Sequence, residues 1–243
     1  MNNLRKIGLS ALAGSLATFS VNAADMSVSG AASITFDDTN SGKGSKGNSF
    51  YMGDSIKFNA SGETDGGIGV AVYYEWDGQI LDDHKITLSG GFGSLVFDGH
   101  GGSSAFGAID DKTPNAYEEA WDIIDTNGST TGGTPTVING VSANNMFIYT
   151  TPDMGGATLT ASYINGGGSS AAPEGSTSFA VAYTGMEGLT IGLGLSNNTT
   201  AEAVDTDETT MYATYATGGI TIGAQVSDLD ITTAGSDQES VAY

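Results

Sequence analysis

Between Gly99 and Asn144 the chain gathers six carboxylates, Asp110, Asp111, Glu118, Glu119, Asp122 and Asp125, around one cation, Lys112. Carboxylates beside a narrow aqueous path concentrate cations and repel anions, whereas the same residues on an open external loop are a solvated face. A short helix over Ala116–Ile124 would set Glu119 and Asp122, three residues apart, side by side. Hydrolytic chemistry finds no support, because His84 and His100 are the only histidines and stand in no Ser–His–acid order. Asp205-Thr206-Asp207-Glu208 offers oxygen ligands for calcium, or equally a solvated loop. The chain has no cysteine, which excludes disulfides and thiolate metal sites. No catalysis, metal or cofactor is expected.

The acidic stretch is bracketed by two strand pairs. In Lys85–Asp98, Ile86 and Leu88 fall on one face and Lys85, Thr87 and Ser89 on the other, and Gly90, Gly91 and Gly93 supply a tight reversal. Asn145–Thr151 turns through Pro152 to Gly156 into Ala157–Ile164. A loop as long as Gly99–Asn144 between good hairpins points to function.

The remaining strands follow with hardly a helical pattern between them: Met26–Phe36, Ser55–Glu63, Ile68–Trp76, and a repeated unit near the end. Ser178–Thr184 with Leu189–Ser196 is echoed by Thr210–Tyr215 with Ile220–Ser227, and Ser240–Tyr243 begins a third copy. Connections alternate. Asp37–Asp54, Asp77–His84, Gly99–Asn144, Asn165–Thr177, Asn197–Glu208 and Asp228–Glu239 are long and polar, while those between are glycine-rich and only about 3–5 residues. Short turns on one rim and long loops on the other mark an outer-membrane barrel rather than a soluble sandwich. Charges within strands (Lys57, Glu63, Glu75, Lys85, Asp98) share a face with Ser, Thr and Asn, as a water-filled lumen allows, and the opposite faces of the second to eleventh strands read as uncharged. Aromatic residues toward strand ends (Phe36, Trp76, Phe97, Tyr163, Tyr183, Tyr215) suit membrane interfaces.

Residues 1–23 read as a signal peptide: basic Arg5 and Lys6, an apolar Ile7–Ser20, and Val21-Asn22-Ala23 as the cleavage site. Residues 24–243 then carry five lysines against 28 acids, which leaves −23 and no arginine. Such a surface has no nucleic-acid partner and draws in cations. The charged fraction of 14% is low against about 25% for soluble domains.

Ile86-Thr-Leu-Ser-Gly-Gly-Phe-Gly-Ser-Leu95 with Gly99, and Asn145-Met-Phe-Ile-Tyr149 with Pro152, Gly155, Gly156 and Ala161-Ser-Tyr163, resemble general porins of the proteobacterial outer membrane. The resemblance implies an all-β, antiparallel up-and-down transmembrane barrel of about sixteen strands, with about twelve present here. It also implies a homotrimer in outer-membrane lipid, passing ions and small hydrophilic solutes, with the Gly99–Asn144 loop folded inward as a constriction. Two departures alter the expectation. With no arginine and only Lys57 and Lys85 on the lumen wall, cation preference should be stronger. With Tyr243 only a few residues into the last strand and Glu239 breaking its pattern, the chain reads as C-terminally incomplete, with a complete twelve-stranded barrel as the alternative. A solute-specific channel and a secreted β-rich surface or adhesive protein are the alternatives.

Overall fold

The computed structural model describes residues 22–36, 50–78, 80–114, 138–166, 175–199, 205–231 and 238–242. The expected leader up to Val21 lies outside them. So do Glu118, Glu119, Asp122 and Asp125, with the helix expected around them.

The chain divides into two units, residues 1–91 and 92–243. In the first, β1 (Asn22–Phe36), β2 (Phe50–Glu63), β3 (Gly69–Asp77) and β4 (Ile80–Gly90) pair antiparallel in chain order. In the second, β5 (Gly93–His100) is followed by two-residue β6 (Gly102–Ser103) and β7 (Ser142–Ala143), which pair only with each other. The ladder then runs from β5 to β8 (Met146–Thr150), β9 (Ala157–Ile164), β10 (Gly175–Met186), β11 (Leu189–Thr199), β12 (Asp205–Thr217), β13 (Ile220–Ile231) and β14 (Gln238–Ala242). All pairings are antiparallel neighbours, the up-and-down order expected from the sequence.

Period two governs burial in the last strands of the second unit, β10–β13. In β10–β13 the buried positions are Ser176, Ser178, Ala180, Gly192, Gly194, Ser196, Asn198, Glu208, Thr210, Tyr212, Gln225 and Ser227, and their intervening neighbours are exposed. Those neighbours include Phe179, Val181, Leu193, Leu195, Met211 and Tyr215. The burial of a water-soluble protein is thereby inverted. Small polar residues are covered, and large apolar ones form a continuous exposed face suited to hydrocarbon.

Three sequence expectations need correction. The Asp77–His84 connection is no long loop: β4 begins at Ile80, and the register shifts between Glu75 and Trp76, so a bulge hides the alternation that would have revealed the strand. Asp205–Glu208 is likewise strand rather than loop, at the start of β12. The Asp228–Glu239 connection is also shorter than expected, since β13 runs on to Ile231 and β14 begins at Gln238, and beyond the expected strand bounds the apolar side carries charge. Asp207 pairs with Asp230, and Asp228 with Glu239, on the face of Met211 and Val226. The strands simply continue past the apolar band toward their connecting loops, where water and headgroups tolerate carboxylates.

Candidate functional site: a loop laid across the polar face

The described part of the long loop, residues 101–114 and 138–144, packs onto the polar face of β9–β13. Its two limbs first bind each other. Gly102 pairs with Ala143 and Ser103 with Ser142, Ser104 N–H donates to Val141 O (2.9 Å), and Gly140 N–H donates to Asp110 Oδ2 (2.7 Å). A tight turn follows, with Ala108 N–H to Ser104 O (3.0 Å), Ile109 N–H to Phe106 O (2.8 Å) and Gly107 N–H to Ser104 Oγ (3.1 Å).

From that turn the loop crosses the strands in order. Ala105 N–H donates to Ser162 Oγ on β9 (3.0 Å) and Phe106 N–H to Ser178 Oγ on β10 (3.2 Å), while the two hydroxyls bond each other at 2.6 Å. Ile109 lies on Gly194 of β11 and clusters with Ala105, Ala180 and Tyr212. Gln225 of β13 reaches the backbone of Ile109, Asp110 and Lys112. Pro114 rests on Gly223, where a Cβ would come within 2.8 Å of the proline Cδ. Buried serines satisfy loop N–H groups and glycines leave room for loop side chains, so the wall is built to receive this segment.

The predicted site residues divide accordingly. Asp110 is half-buried within the loop, and burial pushes its carboxyl above the ordinary range against the lowering effect of the Gly140 N–H. Asp111 and Lys112 are exposed. Asp98, expected on an open wall, is buried beneath the loop's root: a Cβ on Gly102 would lie 3.1 Å from its Cβ.

In the first unit Lys57 and Glu75 form a 3.1 Å pair, and the Tyr73 hydroxyl donates to Glu75. Lys85 pairs with Asp83 (3.4 Å) and stands 5.1 Å from the centre of the Tyr73 ring. Both wall lysines thus have an acidic partner. Glu63 is exposed at the end of β2. His84 stacks on Tyr74, with ring centres 5.4 Å apart, on the face that also carries Trp76.

The calcium reading of Asp205–Glu208 fails on geometry. Successive strand residues point to opposite faces, so Asp207 accepts from Asn197 Nδ2 (2.8 Å) while buried Glu208 accepts from Asn198 Nδ2 (3.1 Å). Among the described residues no group of three or more potential ligands could hold a metal.

Sequence reasoning missed Ser162, Ser178, Gly194 and Gln225. One signal was available. The repeated segments Leu189–Ser196 and Ile220–Ser227 carry Thr, Gly, variable, Ser at their four polar-face positions, and the variable one is Gly194 in the first copy and Gln225 in the second.

Solved structures share this fold. An anion-selective porin from Comamonas acidovorans aligns with a TM-score of 0.55 at 20% identity, covering 89% of this chain and 72% of that one. OmpT, an outer-membrane protein of Vibrio cholerae, aligns at 0.57 and 12% identity, covering 90% and 68%. A porin refined at 1.8 Å resolution aligns at 0.53 and 18% identity, covering 89% and 76%. No curated protein sequence matches. A family model described as Gram-negative porin matches residues 8–243, nearly the whole chain. The chain belongs to the Gram-negative porin family, and its exposed apolar face and covered polar face are those of an outer-membrane channel protein.

Proposed function

We propose that the protein forms a water-filled, cation-preferring channel in which ions and small hydrophilic solutes diffuse passively down their gradients. The observation that carries the preference is the placement of Asp110 and Asp111 on a loop strapped across the polar face of a unit whose sole Lys or Arg is Lys112. The two wall lysines of the other unit are each matched by a carboxylate, so they offset little of that field. Because an anion-selective porin shares this fold, the preference proposed here rests on the side chains and not on the barrel. Glu118, Glu119, Asp122 and Asp125 would add to the cation preference from the same loop, and Glu63 from the wall. Assembly as a homotrimer and removal of residues 1–23 on export belong to the same proposal; cross-linking in detergent and mass analysis of the mature N-terminus test them.

The decisive measurement is the reversal potential of purified protein in a planar bilayer across a roughly tenfold KCl gradient. A potential of the sign for cation flow is expected, reduced when Asp110 and Asp111 are both changed to Asn. An anion-signed potential overturns the proposal.

A further inference from the structure

Gln225 is buried on the polar face of β13 and faces the loop's charged segment. Its Nε2 lies 2.9 Å from Ile109 O, 2.8 Å from Asp110 O and 2.7 Å from Thr210 Oγ1, and its Oε1 lies 2.8 Å from Lys112 N. The orientation of the amide is fixed by its partners, because backbone carbonyls only accept and the Lys112 N–H only donates. Two hydrogens face three acceptors, so one is shared, and the Thr210 hydroxyl is tied in turn to Ser227 Oγ at 2.7 Å. One side chain thus grips three of four consecutive residues, 109–112, including the backbone of both Asp110 and Lys112. The preceding copy of the repeat has Gly194 at this position, and there the loop contributes Ile109 packed on bare backbone. Of four polar-face positions only this one differs between the copies, at the strand where the loop's charges arrive.

We infer that Gln225 is a latch that fixes Asp110–Lys112 in the ion path, and so is a selectivity-determining positioning residue of the channel. The inference rests on the channel reading above. Without the latch, Asp110 and Lys112 would sample positions toward and away from the path, and their field would be averaged and weakened.

Three variants separate the latch from bulk. Gln225→Gly installs the residue of the first repeat. Gln225→Glu keeps the length but turns donors into acceptors that face two carbonyls. Gln225→Asn keeps the amide one methylene short. The Gly and Glu variants should fold as barrels, judged by heat-modifiable migration and β circular dichroism. Their open-channel current noise should rise severalfold and their cation-to-anion permeability ratio fall by roughly twofold or more, with Asn between them and the parent. Wild-type noise and ratio in both the Gly and Glu variants would overturn the latch. Hydrogen exchange on the unmodified protein gives a second reading that needs no variant. The Lys112 amide should be protected, and exchange at the rate of a solvated amide would overturn the inference equally. A parent channel without cation preference would instead remove the proposed function, leaving current noise and exchange to judge whether the loop is held.

Discussion

Gly140 and Gly107 touch backbone to backbone: a Cβ at 140 would come within 2.1 Å of Gly107 N and 2.4 Å of its Cα. This is where the two limbs of the loop close, beside the bond from Gly140 N–H to Asp110. Backbone cannot rotate away as a side chain can, so Gly140→Ala must part the limbs, at about 1–3 kcal/mol of local overpacking. Limited proteolysis of the folded protein should cut the loop much faster in this variant while the barrel persists.

The serine pair predicts a graded loss. Ser178→Ala leaves the buried Phe106 N–H without its hydroxyl partner, and Ser162→Ala does the same to Ala105. Each unsatisfied buried donor costs about 1–3 kcal/mol. The two sites are coupled through their 2.6 Å hydroxyl contact, so the double variant should lose less than the two singles combined. Denaturant midpoints of loop opening, followed by exchange of the Ala105 and Phe106 amides, check this.

Asp110 makes the channel's response to acid asymmetric. Its carboxyl is held above the ordinary range, chiefly by burial, so it takes up a proton before exposed acids as pH falls. Cation preference should therefore begin to fall at a higher pH than ordinary carboxylates titrate, and Asp110→Asn should remove that first step from the reversal-potential profile. The stability sign runs the other way. A carboxyl raised in the folded state favours the packed loop fully below its unfolded pKa, and that contribution is lost as pH rises through the raised value. Loop protection should accordingly be greater at mildly acid pH than at neutrality.

Lys57→Gln tests the wall. The Lys57–Glu75 pair is partly solvated, with side-chain exposures of 41% and 12%, so its loss should scarcely change stability. It leaves Glu75 without its balancing charge on the polar face. The cation-to-anion ratio should rise, opposite to the effect of neutralising Asp110, and a fall would refute this account of the wall.

The strands and short turns were legible because each leaves a local trace: alternation of Leu189-Thr-Ile-Gly-Leu-Gly-Leu195, or Gly218-Gly219, where positive φ at both positions suits a two-residue turn. Where the trace was interrupted, the reading failed, as at the bulge that concealed the start of β4 and the partner Asp83 of Lys85. The seating of the loop left no local trace at all. Lys112 and Gln225 are 113 residues apart, and nothing in the neighbourhood of either announces the other. Asp110 and Asp111 were recognisable as charge, but the buried serines and glycine that receive their loop look like ordinary strand residues.

The strict two-sidedness of β12 constrains how such a chain can change length. A one-residue shift of β12 that no bulge absorbs would send Glu208 and Thr210 into lipid and Met211 into water. Insertions keep the alternation only in connections, at a bulge such as the one between β3 and β4, or as whole hairpins. The echo of β10–β11 in β12–β13 has that form: the hairpin recurs whole, each polar-face residue stays on the polar face, and Gln225 stands where the first copy has Gly194.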